Sequence, residues 1–245
     1  MTTRIHPKSY QDRTYAHTGR YLWIQDRPHY LKYIHSGDAV SLKERLCSGF
    51  KYLPQYALYP HKTDTVNGKP INIFEVIKLM QSTRLEALGK KITAAEAIGD
   101  KVLKANLKSK LPYITHSGIF IPRRNDGLVL PGFTYQLDID KISNPDEILA
   151  KVIADRKLDV LFACKSVSRN GVKAMLFLKE LLFLKDAWTH EQYKTTYHQA
   201  TNVLEQYFKV EYSVGIDTQM KAISQPFYLF YAPDLYINKS LQSWI

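Results

Sequence analysis

Cysteine is scarce in this chain. Only two of its 245 residues are cysteines, Cys47 and Cys164, and they lie far apart in the sequence. A disulfide framework and a CxxC metal site are both excluded, because each needs several cysteines at set spacings. A chain that does not depend on disulfides suits a reducing compartment, so we expect a cytoplasmic protein.

Long apolar segments and two common motifs are also missing. No run of about 18 or more apolar residues occurs, so the sequence predicts no membrane-spanning helix and no membrane partner. The first residues, MTTRIHPKSYQDRTY, contain no apolar stretch of the kind found in a secretory signal. The P-loop pattern GxxxxGK[ST] is absent, which excludes a helicase motor of the P-loop class. The GxSxG pattern of serine hydrolases is absent as well.

Acidic residues are few relative to basic ones. The chain has 34 Lys and Arg against 23 Asp and Glu, a net charge of +11. Between Arg84 and Arg124 there are nine basic and three acidic residues, an excess of six charges. This excess favours a polyanionic partner, most often nucleic acid. Tyrosine occurs 17 times, which suits base stacking and equally suits burial in a core.

The stretch GFTYQLDIDKI, residues 132–142, contains two neighbouring acids on a predicted strand. Apolar and polar residues alternate there, which puts Asp138 and Asp140 on the same face of the strand. Two carboxylates about 6 Å apart repel by roughly 3 kcal/mol at an effective dielectric constant of about 20. A divalent cation would relieve this repulsion, because Mg²⁺ and Mn²⁺ prefer carboxylate oxygens. The pair is therefore a candidate metal site.

The second half of the chain predicts the element order β-α-β-β-α-β. A strand at residues 133–140 precedes a helix in which Asn144 is the N-cap, Pro145 the first residue and Glu147 the partner in a capping box. The later elements are strands at 158–164 and 172–178, a long helix capped by Thr189 and Gln192, and a strand at 227–231. This order indicates an α+β protein with an RRM-like core.

The predicted topology brings distant polar residues together. In an RRM-like sheet the first and third strands are central, and the fourth strand lies beside the first. Asp138 and Asp140 should then meet Lys173, at the start of the third strand, and Asp217, just before the fourth. Three carboxylates and a lysine would converge at one edge of the sheet.

The first half of the chain predicts a different kind of structure. Residues 1–105 are expected to form a partly helical α/β extension that packs on a core of residues 106–245, and the first 60 residues have an irregular pattern. One helix is predicted from INIFEVIKLMQSTRLEALG, ending at Gly89, and another from TAAEAIGDKVLKANLKSK.

The loop SVSRNGVK joins the second and third predicted strands. Its hydroxyl and backbone N–H groups can donate to phosphate oxygens, and its two basic side chains supply positive charge. An ordinary polar turn with Asn-Gly at its tip explains the same residues equally well. The candidate nucleotide-binding residues are Ser166, Ser168, Arg169, Asn170, Gly171 and Lys173.

These segments, taken in order, resemble a known family. The stretches KSKLPYITHSGIF, GLVLPGFTYQLDIDKI, FACKSVSRNGVKAMLFL and FYLFYAPDLYIN resemble the N-terminal domain of virulence-associated E-type proteins, a branch of the archaeo-eukaryotic primase-polymerase superfamily. The resemblance runs from about residue 75 to residue 239. It implies an RRM-like catalytic core, nucleotidyl transfer with two Mg²⁺ or Mn²⁺ ions, and frequent residence on plasmids, phages or other mobile elements.

The resemblance also assigns roles to residues. Asp138 and Asp140 match the first motif of the family, a metal-binding acid pair, and Asp217 matches the third. SVSRNGVK is similar to the second motif, with Lys173 where other primases have a nucleotide-binding histidine. Two positions depart from the pattern, since Gln225 stands where an arginine is expected and Arg169 where this branch usually has glycine. Both departures bear on nucleotide binding.

The sequence therefore leaves three candidate functions. The resemblance implies a DNA primase-polymerase that acts on single-stranded or primed DNA with NTPs or dNTPs, beside a separate helicase. The basic residues expected to contact the template are Lys108, Lys110, Arg123 and Arg124. The alternative is a non-catalytic DNA-binding module for replication initiation or mobilisation, which Gln225 favours. A DxD glycosyltransferase is disfavoured, because the first hundred residues lack alternating strands and helices.

Overall fold

The computed structural model describes residues 53–178, 181 and 188–242. The predicted irregular segment at the start of the chain falls mainly on residues 1–52, outside this range. The strands are β1 Gln55–Tyr59, β2 Lys69–Asn72, β3 Tyr113–Thr115, β4 Gly118–Phe120, β5 Leu128–Pro131, β6 Thr134–Ile139, β7 Val160–Lys165, β8 Val172–Phe177, β9 Pro226–Tyr228 and β10 Tyr236–Ile237. The helices are α1 Ile73–Met80, α2 Thr83–Ala97, α3 Lys101–Lys108, α4 Pro145–Ala154, α5 His190–Tyr207 and α6 Lys239–Gln242. The predicted α+β class is confirmed.

The first sheet has the strand order β10-β7-β8-β6, and all its pairs are antiparallel. Since β6 and β7 both run antiparallel to β8, they are parallel to each other, with α4 as their connection. This is a split β-α-β unit, as the predicted order of the first three strands requires. The pairing of β6 with β8 sets Asp138 opposite Lys173. That predicted meeting is confirmed.

The predicted fourth strand takes a different place. Residues 226–228 form β9, which pairs with β3 in a second sheet, and β10 pairs with β7 on the far side of the first sheet. No described strand pairs with the free edge of β6. The backbone N–H of Asp217 reaches that edge and donates to the Asp138 carbonyl oxygen at 2.9 Å. The RRM-like strand order is therefore not confirmed.

A turn capped by Asp217 lies at the edge of β6, where the predicted fourth strand was expected to pair. The Asp217 carboxylate accepts a hydrogen bond from the Gln219 N–H at 2.9 Å and caps the 3₁₀ turn Thr218–Lys221. Aspartate side chains that bond to nearby backbone N–H groups favour turns over strands. The chain leaves β6 at this turn and extends again only at Pro226, where β9 begins.

The second sheet joins the two halves of the chain. Its order is β2-β1-β3-β9, so strands from before and after residue 105 pair directly. The main hydrophobic cluster also contains residues from both sides of that position, from Tyr56 to Leu241. A smaller cluster lies on the other face of β1 and includes Ala57 and Tyr59. The predicted boundary at residue 105 stays a prediction.

Several helix ends differ from expectation. The predicted end at Gly89 is wrong, because α2 runs through this glycine to Ala97. A mid-helix glycine costs about 1 kcal/mol relative to alanine, and burial of Leu85 and Ile92 on the same helix offsets that cost. The capping box at Asn144 is also wrong, because this side chain bonds the Glu147 carboxylate and no backbone N–H. The box of Thr189 and Gln192 on α5 is confirmed. None of the described helices has the length and apolar character needed to cross a membrane.

Candidate active site

A cleft of about 660 Å³ is lined by residues of the first and second sheets, and we call it the central cleft. It receives residues from β6, from the loop after β7, from the turn after Asp217, and from the end of α3. The predicted residues that line it are Lys108, Arg123, Asp138, Asp140, Ser166, Ser168, Lys173 and Asp217. The predicted residues that do not line it are Lys110, Arg124, Arg169, Asn170 and Gly171.

Asp138 is the most buried acid of the central cleft, with 6% of its surface exposed. Its Oδ2 accepts hydrogen bonds from the Lys173 ammonium group and, at 3.3 Å, from the Gln136 amide. Its Oδ1 is buried and has no hydrogen-bond partner. Burial raises the pKa of this carboxyl group, and the charge of Lys173 opposes the rise only in part. An unpartnered carboxylate oxygen in a polar cleft is suited to receive a cation.

Asp140 lies two residues further along, at the mouth of the central cleft, and is exposed. The loop after β7 packs against it through Gly171, where a methyl group would come within 3.2 Å of Asp140 Oδ1. Asn170 holds the same loop in place, because its carbonyl oxygen accepts from the Ile142 N–H at 3.0 Å. The loop and the acid pair therefore form one unit.

Asp217 completes the group of acids that line the central cleft. The charges of Asp140 and Asp217 both add to the raised pKa of Asp138, so these two acids act on the buried one. Their side chains are not drawn into a closed cage. Within the described residues, no group of three or more His, Cys, Asp or Glu side chains is close enough to hold a metal ion. Lys173 and the Gln219 N–H currently bond to oxygens that a metal would need.

The donor set still fits a hard divalent cation. All three side chains are carboxylates, which Mg²⁺ and Mn²⁺ prefer, and one buried oxygen of Asp138 is free of any hydrogen bond. Asp138, Asp140 and Asp217 are the residues that would hold such ions, once their oxygens lie closer together than in this structure. The predicted metal site itself remains a prediction.

The loop after β7 divides its side chains between two directions. Ser166 and Ser168 line the central cleft, and their hydroxyl oxygens are 3.3 Å apart. Arg169 extends to Asp234 instead, in an ion pair of 2.7 Å. Its φ angle of 62° lies in the left-handed region that glycine adopts most easily. The hydroxyl groups are therefore placed for a ligand of the cleft, and the guanidinium group is not.

The four predicted template residues also separate into two pairs. Lys108 and Arg123 line the central cleft. Burial, and then the charge of Lys104, lowers the pKa of Lys108. Arg123 lies over the ring of Tyr113, with 5.1 Å from the guanidinium carbon to the ring centre. Lys110 is exposed outside the cleft, and Arg124 pairs with Asp126 at 2.7 Å.

Comparison with known protein families identifies the family of this chain. Residues 106–237 match the family described as BT4734-like, N-terminal domain. The chain belongs to this family. The family is part of the virulence-associated E and primase-polymerase-like group. No curated protein and no solved structure matches the chain.

The family domain contains the three aspartates and the loop after β7, but other residues complete the central cleft. Twelve lining residues were not predicted as site residues, and they include six with large polar or aromatic side chains that could contact a ligand: Lys62, Gln136, Gln219, Gln225, Tyr228 and Phe230. Gln136 could have been found, because it alternates with Asp138 on the polar face of the same strand. Lys62 could not, because it precedes the family domain and lies in a loop with no motif of its own.

Proposed function

We propose that this protein is a metal-dependent, template-directed nucleotidyltransferase, a DNA primase-polymerase. The observation that carries the proposal is the buried carboxylate of Asp138, which has one oxygen free of hydrogen bonds and belongs to a cleft that two further aspartates also line. Burial and the charges of the other two aspartates raise the pKa of Asp138, and a bound cation would oppose both effects. Membership of a primase-polymerase-like family supports the same reading.

The acids have a defined task in this proposal. Asp138, Asp140 and Asp217 would hold two Mg²⁺ or Mn²⁺ ions. Such ions, when bound, activate a 3′-hydroxyl group and neutralise the charge that develops on the transferred phosphoryl group. The chain orients the three carboxylates through the β6–β8 pairing and the hydrogen bond from Asp217 to Asp138.

In this proposal Lys173 would change its partner from the Asp138 carboxylate to a phosphate group. Its ammonium group bonds Asp138, and the two hydroxyl groups of Ser166 and Ser168 line the same cleft. A phosphate oxygen can accept from all three donors. Movement of Lys173 toward a bound triphosphate would release Asp138 Oδ2 for a metal ion.

The wider role follows from the chemistry and the charge. A template of single-stranded or primed DNA would lie on the basic surface that includes Lys110 and Arg124. Incoming NTPs or dNTPs would enter the central cleft, and a separate helicase would unwind the duplex. We further propose an RRM-like ancestry for the β6-α4-β7-β8 unit, and a cytoplasmic role in replication of a plasmid, phage or other mobile element.

Primer extension on a single-stranded template with Mn²⁺ tests the proposal. We expect wild-type protein to add nucleotides, and the double variant Asp138→Ala with Asp140→Ala to lose at least about 100-fold in rate, since charge stabilisation at the reacting group is removed. Asp146→Ala is the matched control, because Asp146 is exposed and pairs with Lys165 outside the central cleft. Equal activity of the double variant and the wild type would overturn the mechanism.

Gln225 favours a second candidate, a DNA-binding module without chemistry. This side chain lines the central cleft at the position where an arginine is expected. A neutral amide cannot supply the charge that arginine offers to phosphate. The module predicts DNA binding that weakens steeply with salt, needs no divalent metal, and is accompanied by no nucleotide incorporation.

A further inference from the structure

The loop between β1 and β2, residues 60–68, is fixed against the family domain. The Lys62 N–H donates to the Ser109 carbonyl oxygen at 3.2 Å, and the Arg123 N–H donates to the Thr65 carbonyl oxygen at 2.7 Å. The Tyr113 hydroxyl group donates to the Asp64 carbonyl oxygen. Three contacts of long sequence separation hold this loop, so the position of Lys62 in the wall of the central cleft is built into the fold.

Three basic side chains that line the central cleft lack an ion-pair partner within the described part of the chain. Among the residues that the structure describes, Lys62, Lys108 and Arg123 make no ion pair, whereas cations nearby, such as Lys104 and Arg124, do. The Arg123 Nε atom is buried without a hydrogen bond. Positive groups that are gathered in a cleft and left unpaired favour binding of an anion.

The arrangement of charge in the central cleft indicates which anion fits. The three aspartates and the three cations without an ion pair line the same cleft. A ligand that carries both a divalent cation and several phosphate groups satisfies both sets of charges at once. The volume of about 660 Å³ is that of a small-molecule site, and Tyr228 and Phe230 add aromatic surface for a base. These features favour a nucleoside triphosphate over a passing nucleic-acid strand.

We infer that Lys62, with Lys108 and Arg123, binds the phosphate groups of a nucleoside triphosphate, so that the β1–β2 loop completes a nucleotide site which the family domain alone does not contain. The inference rests on the proposed nucleotidyl transfer. It goes beyond that proposal because Lys62 lies outside the family match of residues 106–237.

Calorimetric titration with dATP, dAMP and an oligo-dT strand, each with Ca²⁺ as a non-reactive metal, tests the inference on the full chain. The variant is Lys62→Met. It keeps the contacts that hold the loop, because the loop takes part in them through its main-chain N–H and carbonyl groups. Lys69→Met is the matched control, since Lys69 is exposed on the same hairpin and does not line the central cleft. We expect Lys62→Met to weaken dATP binding at least about tenfold, the loss of one charged hydrogen bond.

The pattern across ligands separates the possible results. We expect dAMP binding to change much less than dATP binding, and oligo-dT binding to stay within about twofold of wild type. Unchanged dATP affinity in Lys62→Met, while the wild type binds dATP and extends primers, would overturn this inference alone. Loss of oligo-dT binding without loss of dATP binding would also overturn the inference, and it would show that these cations bind a nucleic-acid strand. A wild-type protein that neither binds dATP nor extends primers would overturn the proposed function as well.

Discussion

At the scale of single residues, the ion pair of Asp138 and Lys173 dominates the central cleft. The two side chains are 9% and 19% exposed, so neither charge is fully hydrated. Removal of one partner from such a pair leaves the other uncompensated. A cation that binds Asp138, or an anion that binds Lys173, would therefore change the stability of the protein.

Lys173→Met should make stability depend on metal. Without the lysine, Asp138 keeps its burial and loses its counter-charge, which we expect to lower the free energy of unfolding by about 2 kcal/mol, between the values for exposed and buried pairs. Added Mn²⁺ should restore most of this loss, because the cation replaces the missing charge. Thermal denaturation with EDTA and with Mn²⁺ measures both effects.

Lys173→Arg is the control for that experiment, since it retains the charge. It should lose less stability in EDTA than Lys173→Met. If Mn²⁺ stabilised wild type and Lys173→Met equally, Lys173 would not compete with a cation for Asp138.

His116 is a second residue whose environment fixes its chemistry. It is fully buried, one ring nitrogen lies 3.3 Å from the Tyr197 hydroxyl group, and the other has no partner. Burial lowers the pKa of this imidazole from 6.5 to about 3. In the unfolded chain the imidazole therefore binds a proton near pH 6.5, whereas in the folded chain it binds one only near pH 3. Stability is lost as the pH falls through this window.

His116→Gln should flatten the acid dependence of stability. Between pH 7 and pH 4.5, wild type should lose about 2.5 kcal/mol more free energy of unfolding than the variant, since one pH unit corresponds to about 1.4 kcal/mol per proton. Urea denaturation at a series of pH values gives both curves. Parallel curves would show that His116 takes up its proton in the folded state as readily as in the unfolded one.

At the scale of elements, the loop after β7 and the end of β6 depend on Gly171. A methyl group there would collide with the Ile139 carbonyl oxygen and press on Asp140. Neither backbone can retreat without disturbing the β6–β8 pairing, which includes Ile139 and Val172. The acid pair is thus positioned by a glycine that touches no ligand.

Gly171→Ala should reduce both stability and primer extension. Forcing a side chain into this contact should cost about 1–3 kcal/mol, and it should shift Asp140 relative to Asp138. Chemical denaturation and a primer-extension assay measure the two losses. Gly215→Ala is the control, because a methyl group at Gly215 meets nothing within 4 Å. If Gly171→Ala matched Gly215→Ala in both assays, the close approach of the loop to β6 would be wrong.

Elements whose residue pattern alone determines their structure could be predicted from the sequence, and those that depend on tertiary contacts could not. The alternation in β6 and the apolar runs in β7 and β8 predicted these strands, and the register then paired Asp138 with Lys173. The predicted fourth strand forms in part, as β9, but it pairs with β3 instead of β6, and the turn that Asp217 caps lies at the edge of β6. The predicted end at Gly89 failed because tertiary burial of α2 outweighs the glycine. Arg169 takes a left-handed conformation, in keeping with a position where glycine was expected.

At the scale of the whole molecule, the central cleft depends on contacts between distant parts of the chain. Asp138, Asp140, Asp217 and Lys173 could be predicted to converge, because one topology and a family resemblance both indicated it. Lys62 could not, since only the pairing of β1 with β3 brings its loop to the cleft. The net charge of +11 predicted a polyanionic partner without indicating which cations would line the site.

The central claim is that three aspartates share divalent ions in the presence of a nucleotide, and anomalous diffraction from crystals grown with Mn²⁺ and dATP tests it most directly. We expect a manganese peak within about 2.0–2.4 Å of a carboxylate oxygen of Asp138 and of at least one other cleft aspartate, with Lys173 turned toward phosphate. A structure with dATP bound in the central cleft, no manganese at Asp138, and Lys173 still paired with that carboxylate would contradict the claim.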